Sequence, residues 1–278
     1  MTDLMQHTRA LLEDLGHDEE PVGIHYTDAE PAEGFAPKPG VPFNAEMEAR
    51  NEIDWKGLWG NFSCVLGKVW LARRRKKPAS FDAVRYGCVG ASFFLGFHKP
   101  QIRFLDHYIS MGIPDVTPGE RYLPSPASVR RFFETIDPRP APARFCVIKP
   151  LSLFAEGETP ELVSFFVRGE VLGGLCQLAV FATDDIDVVA MPFGSGCSNL
   201  VTWPLRYPEM GRPRAVIGGS DPSCRKFMAA DELIFTVPLG LYRTMLAARP
   251  ASFLATETWA GVRTKIRRSR EVWEKKKE

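Results

Sequence analysis

Between residues 143 and 248 the chain alternates short apolar runs with glycine, proline and polar turns. ARFCVIKPL (143–151) and ELVSFFV (161–167) are rich in β-branched and aromatic residues and predict strands. VLGGLCQLAVFA (171–182) predicts a helix, and IDVVAMPF (186–193) a third strand. SNLVTWPL (198–205) predicts a short helix and PRAVIGG (213–219) a fourth strand. ADELIFTVPLGLYRTMLAA (230–248) predicts one helix capped by Asp231. Segments of this kind bury their apolar faces by layering helices on a sheet. The expected class is therefore α/β (or α+β), a single layered domain with a mixed β-sheet covered by helices.

The flanking segments fit that picture. Leu4, Leu11, Leu12 and Leu15 recur at helical spacing and Gly16 supplies a stop. PVGIHYTD (21–28) predicts a strand with Val22, Ile24 and Tyr26 on one side, and residues 29–48 an irregular connection. A helix is predicted from about Ser63 to Arg74, with Val65, Leu66, Val69 and Trp70 as its apolar stripe. GCVGASFFLGF (87–97) suits a buried turn or short helix, residues 112–126 a proline-punctuated loop, and SPASVRRFFETI (125–136) a helix capped by Ser125 or Ser128. No repeat or composition shift marks a linker. The chain is read as one globular domain over 1–278, ending in a charged helix over approximately 256–278.

With 45% apolar and 25% charged residues the composition is globular. A net charge of +1 supplies no field that selects nucleic acid or an anionic membrane. The first residues carry acids and lack the apolar core of a signal peptide, and no uncharged apolar run approaches the roughly 18 residues of a membrane span. The expectation is a cytoplasmic protein that binds neither nucleic acid nor membrane; its oligomeric state is left open. RRRKK (73–77) and KIRRSR (265–270) are read as helix-end cations and a solvated tail. GSG (194–196) is too short for a dinucleotide fingerprint or a P-loop.

Six cysteines are present, none in a C-x-x-C pair, so zinc ribbons, ferredoxin runs and thioredoxin motifs are absent. Three share one local setting. NFSCVLGKVW surrounds Cys64, RYGCVGASFF surrounds Cys88 and GSGCSNLVTW surrounds Cys197; in each a Ser or Gly precedes and an apolar segment follows. That setting places the sulfur at the first turn of a helix, where free N–H groups and the dipole favour thiolate. The expectation is lowered thiol pKa values and at least two of the three sulfurs sharing one metal or cluster site. Cys146 and Cys176 lie inside apolar segments and read as core. Cys224, beside Arg225 in a polar loop, is a candidate fourth ligand. His98 reads as a surface histidine. Asp221 and Arg225, with Gly194, Ser195, Gly196 and Ser198 of the GSGCS loop, form a candidate ligand-binding set at the end of a strand.

The stretches GCVGASFFLGF, MPFGSGCSNLVTWP and AVIGGSDPSCRKFMAADELIFTVP together resemble the family called domain of unknown function 169, found largely in archaea and anaerobic bacteria. The resemblance runs from the PVGIHYTD strand to about Ala248. It implies that Cys64, Cys88, Cys197 and Arg225 belong to the family pattern and that Cys224 does not. The leading functional expectation is an iron–sulfur or other metal centre held by Cys64, Cys88 and Cys197 and used in redox or small-molecule chemistry. Two alternatives stand beside it: a non-catalytic binder of a small molecule or anion through the Gly-Ser-Gly-Cys loop, and a partner-binding scaffold. No reaction, substrate or catalytic residue follows from the sequence.

Overall fold

The structure is a computed structural model that describes residues 2–40, 63–99, 105–115 and 117–275. The part of the irregular 29–48 connection beyond residue 40 lies outside the described residues. Helix α1 (Thr2–Leu15) ends at Gly16, whose φ of +67° is the left-handed stop the sequence calls for. Strand β1 (Val22–Thr27) follows, then α2 (Val65–Arg75), β2 (Ala79–Phe81) and the short α3 (Val89–Phe94). Helix α4 (Leu105–Ile109) precedes the two-residue strands β3 (Gly112–Ile113) and β4 (Thr117–Pro118). Helix α5 (Pro126–Ile136) is capped by Ser125, whose hydroxyl accepts from the Ser128 N–H.

The second half supplies β5 (Phe145–Pro150), β6 (Leu162–Arg168), α6 (Gly169–Thr183), β7 (Val189–Ala190), α7 (Trp203–Glu209), β8 (Ala215–Gly218), β9 (Glu232–Pro238), α8 (Leu239–Ala248) and α9 (Glu257–Lys275). Seven strands form one sheet in the order β2-β5-β1-β6-β9-β8-β7. Every neighbouring pair is antiparallel except β7 and β8.

Two predictions are corrected here. The segment 230–248 is not one helix: Glu232–Pro238 is a strand hydrogen-bonded on both sides, to β6 and β8, and only Leu239–Ala248 is helical. Leu-Ile-Phe-Thr-Val has the side chains of a central strand, and pairing on two edges overrides the helix-like start at Asp231. Pro238 has no N–H, so it ends the ladder and opens the helix. The predicted strand over 186–193 shrinks to Val189–Ala190, because it is an edge strand with a single partner.

Both faces of the sheet are covered. On one face Ile24, Ile148, Phe166, Val216 and Ile234 pack under Leu66 and Val69 of α2, Phe93 and Phe94 of α3, and Leu200 and Trp203. On the other, Phe165, Val167, Phe235 and Val237 pack under Leu11 and Leu15 of α1, Leu175 and Leu178 of α6, and Tyr242 and Met245 of α8. Neighbouring strand residues point to opposite faces, which is why Phe165 and Phe166 belong to different clusters.

Arg73 departs from the solvated helix end expected of the RRRKK run. It is buried, with its guanidinium 3.8 Å from the Phe166 ring centroid. Its Nε and Nη2 donate to Glu19 at 2.7 and 2.8 Å, and Nη2 also donates to Glu232 at 2.6 Å. The cluster joins the α1–β1 connection, α2 and β9. Removing the cation strands the nearly buried Glu232 carboxylate. Arg73→Ala should therefore cost about 3 kcal/mol or more. In a Glu232→Gln background the loss should be clearly smaller, and urea midpoints of the four proteins measure the coupling.

His25 gives a second test. It is buried on β1 with Nε2 unpartnered and its ring 5.0 Å from that of Phe154. Burial first, then the Lys149 ammonium, hold its basicity below the ordinary 6.5. The unfolded chain then binds the proton more readily, so stability is complete above about pH 6.5 and declines as pH falls below it. His17 is shifted the same way, again mainly by burial. His25→Phe should reduce the loss of urea midpoint between pH 7.5 and pH 5.5; an unchanged loss would remove His25 as its source.

Candidate functional site

Cys64 is the residue immediately before α2, in extended conformation, and Cys88 holds the same place before α3. The Cys88 sulfur accepts from the Ala91 N–H at 3.4 Å. The two helix starts lie side by side because the Ser63 N–H donates to the Gly87 carbonyl at 3.3 Å. Gly87 has a φ of +91°, and a Cβ there would stand 2.3 Å from the Ser63 oxygen. Only glycine permits this approach.

Cys197 comes from the third segment. It precedes a π-helical turn (Ser198–Thr202) that leads directly into α7, an irregularity frequent at functional sites. Its backbone is helical rather than extended, and its sulfur lies 3.1 Å from Ser195 Oγ. The Asn199 amide donates to the Pro192 and Ile217 carbonyls at 3.0 and 3.2 Å, which fastens this turn to β8. Thr202 donates to the Phe94 carbonyl at 2.7 Å, which fastens it to α3 and so to the segment of Cys88.

A fourth segment joins them. Asp221 caps the 3₁₀ turn Pro222–Phe227 by accepting from the Ser223 N–H at 3.0 Å, and its other oxygen accepts from the Gly196 N–H at 3.2 Å. The Cys224 thiol donates to the Asp221 carbonyl at 3.1 Å. Gly196 has no left-handed φ; its neighbours leave little room for a side chain. A Cβ there would stand 3.0 Å from Leu66 Cδ2 and 3.2 Å from both Cys224 Cβ and Sγ.

The predicted ligand-binding residues divide. Asp221 sits between the Gly196 N–H and the Ser223–Cys224 turn, and its charge disfavours the Cys64, Cys88 and Cys197 anions. Gly194 and Ser198 shape the loop: Ser198 is buried, its hydroxyl donates to the Ser195 carbonyl at 2.8 Å, and a Cβ on Gly194 would strike it. Arg225 turns to the backbone, donating to the carbonyls of Gly219, Glu232, Ala229 and Ala230 at 3.0, 2.6, 2.7 and 2.8 Å. That clasp commits four of its five N–H groups and holds the 219–232 loop. His98 is exposed, with Nε2 2.7 Å from the Ala83 carbonyl.

Sequence reasoning missed a pair of polar residues whose electrostatics couple to Asp221. The Tyr108 hydroxyl donates to Glu120 at 3.2 Å. Burial pushes the Glu120 carboxyl up, and the Asp221 carboxylate adds to the effect. Tyr122 is raised by burial and by Glu120, with Asp221 and Cys224 also facing it. These residues fall in and beside a proline-rich stretch whose pattern carries no periodic signal.

The expected thiolates are corrected. The Leu66 and Gly67 amides do favour the Cys64 anion, and those of Ala91 and Gly90 the Cys88 anion, as a helix start should. Burial outweighs them. It raises the Cys64 thiol, pushes Cys88 up to about 12 and lifts Cys197 well above the ordinary value of 9.0. Each of the three is raised further by the Asp221 charge, and ionising one of them opposes ionising the next: Cys64 raises Cys88, and Cys88 and Cys64 raise Cys197. The thiols of the metal-free chain are therefore neutral. Among the described residues no group of three or more His, Cys, Asp or Glu side chains is already spaced to hold a metal ion. No described helix is long and apolar enough to cross a membrane.

A family model described as uncharacterised ArCR, the domain of unknown function 169, matches residues 10–248, and the chain belongs to that family. No curated protein and no solved structure matches the chain.

Two outcomes follow from the buried, neutral thiols and the tight Gly196 contact. Cys197 and Cys224 in the native metal-free protein should alkylate with iodoacetamide far more slowly than after unfolding; a native rate matching that of an unfolded thiol would overturn the neutral, buried assignment. Gly196→Ala should cost about 1–3 kcal/mol in urea unfolding, because Leu66 and Cys224 must both shift.

Proposed function

We propose that this member of the domain of unknown function 169 family is a metalloprotein. Cys64, Cys88 and Cys197 hold a soft metal centre, in first place an iron–sulfur cluster, and the centre serves redox or small-molecule chemistry. The observation that carries the reading is convergence. The Cys64 and Cys88 helix starts are joined by the Ser63–Gly87 hydrogen bond, the Cys197 turn is tied to the Cys88 helix by Thr202, and Cys64 and Cys88 pack against the apolar cluster that contains Cys197. Thiolate is the donor that iron–sulfur clusters and other soft centres take.

Charge favours a cation over the anionic-ligand alternative. The Gly196 N–H is already taken by Asp221, and the Arg225 donors are committed to backbone carbonyls. An added anion would meet the Asp221 carboxylate without a free guanidinium to offset it. The residues fit the group in donor type, and the side chains must turn to bind it: a change of χ1 rotamer carries a cysteine sulfur about 3 Å. Each sulfur gives up its proton on binding, so loading couples to proton release. Such a centre would supply one-electron transfer. The protein's part is to gather the thiols, exclude water from Cys197 and set the local charge through Asp221.

The test is anaerobic purification, or reconstitution with ferrous iron and sulfide, followed by iron analysis and visible absorption. Wild-type protein should bind iron with broad thiolate-to-iron absorption. Cys197→Ser and Cys88→Ser should lose most of the iron while the metal-free melting temperature moves little. Cys146→Ser and Cys176→Ser should retain it. Iron-free wild-type protein after reconstitution, or unchanged iron in Cys197→Ser, would remove the metal reading.

A further inference from the structure

The two edges of the sheet differ. At one, β2 is covered: the Phe35 N–H donates to the Pro78 carbonyl at 2.8 Å, the Ser80 N–H donates to the Phe35 carbonyl at 3.0 Å, and Phe35 bridges Ala79. At the other, β7 has β8 on one side and, among the described residues, no strand on the other. Thirteen large apolar side chains are exposed among the described residues. Five of them, Phe181, Ile186, Met191, Phe193 and Met210, flank β7 or end the helices that lead into β7 and β8. Ile186 is 86% exposed and Met191 56%. Monomeric proteins blunt a free edge with charge, proline or a cover, whereas apolar side chains gathered along one mark a docking surface.

The backbone fixes how a second strand fits there. The Ala215 N–H donates to the Val188 carbonyl at 2.9 Å. In a parallel pair alternate residues turn their N–H and C=O groups to the same neighbour. Val188 and Ala190 therefore face β8, and Val189 and Met191 turn outward. The free edge stops on both sides of them. The Asp187 N–H donates to Asp185 Oδ1 at 2.8 Å. Pro192 has no N–H and its carbonyl accepts from the Asn199 amide at 3.0 Å, while the Phe193 carbonyl accepts from the Trp203 indole at 3.1 Å.

We infer that β7 is a homodimer interface, at which two copies of this chain pair antiparallel about a two-fold axis and join their sheets. The axis passes between the two Ala190 residues and sets Val189 opposite the partner's Met191. That register satisfies all four outward groups of each copy. Setting Val189 opposite the partner's Val189 would leave Met191 against the partner's Asp187, whose N–H is already taken. Ala190 then makes the closely spaced, non-hydrogen-bonded pair, which suits its small side chain. Charge selects the same direction. Asp184, Asp185 and Asp187 crowd one end of the strand, and antiparallel pairing carries Asp187 about 20 Å along the strand from the partner's Asp187. Parallel pairing would stack these like charges. A second copy fits this edge better than a peptide does. Its strand is already ordered, so association avoids the entropy of fixing a flexible chain, and the two-fold brings every exposed apolar residue to the interface twice. The inference is independent of the metal reading.

The first test is sedimentation velocity of full-length protein over a concentration series. Wild type should be a dimer that dissociates on dilution. Ile186→Lys and Met191→Lys should weaken it at least about tenfold. Their urea midpoints should stay close to that of wild type, because both side chains already lie in solvent in the single chain. Wild type that stays monomeric at every concentration, or variants that dimerise as tightly as wild type, would overturn the interface. The second test fixes direction and register. On mild oxidation with diamide, Ala190→Cys should cross-link to the partner's residue 190, located by mass spectrometry, and Asp185→Cys should not cross-link to the partner's residue 185. Absence of the first cross-link from a folded variant, or an equally efficient second one, would overturn the antiparallel pairing.

Discussion

The seven-stranded sheet is covered on both faces, and that constraint decides where chemistry can occur. Central strands such as β6 and β9 send alternate side chains into two separate apolar clusters, so they have no surface left for a ligand. The polar groups that these strands do bury pair with each other, as Ser164 and Thr236 do across the β6–β9 ladder. Reactive side chains are displaced to the segments that cap one face. There two helix starts, a π-helical turn and a 3₁₀ turn meet, and all four carry cysteine.

Within that layer two opposing effects act on the same sulfur atoms. Amides at the helix starts stabilise thiolate, and burial destabilises it. Burial is the larger for Cys64 and Cys88, and for Cys197 no amide opposes it. Buried neutral thiols near a carboxylate carry no uncompensated charge of their own, which suits an apolar layer. The same balance argues against an anion: Asp221 already stands where an anion would meet the Gly196 amide.

Two arginines hold the irregular parts in register by different means. Arg73 joins Glu19 and Glu232 across three elements, with its face on Phe166. Arg225 uses neutral carbonyls and rigidifies the loop that presents Asp221 and Cys224. The planar fork of guanidinium suits both tasks, and lysine would reproduce neither. Arg225 thus acts on the site through the loop it closes.

Much of the fold was legible in the sequence because local pattern and burial agreed. The periodic leucines of α1, the strands at Val22–Thr27, Phe145–Pro150 and Leu162–Arg168, the helix over Gly169–Thr183 and the Ser125 cap all follow from spacing, branching and hydrogen-bonding groups within a few residues. The sequence alone also determined that Cys64, Cys88 and Cys197 share one local setting. What it could not determine is whatever depends on distant partners. Glu232–Pro238 became a strand because β6 and β8 flank it, and Val189–Ala190 stayed short because only β8 does. Tertiary structure likewise set Cys224 beside the Gly196 loop, paired Tyr108 with Glu120 and committed Arg225 to backbone carbonyls. It also reversed the sign of the thiol shifts. Helix-start amides are a local feature that sequence reveals, whereas desolvation depends on everything the fold packs around an atom, and here the second is larger.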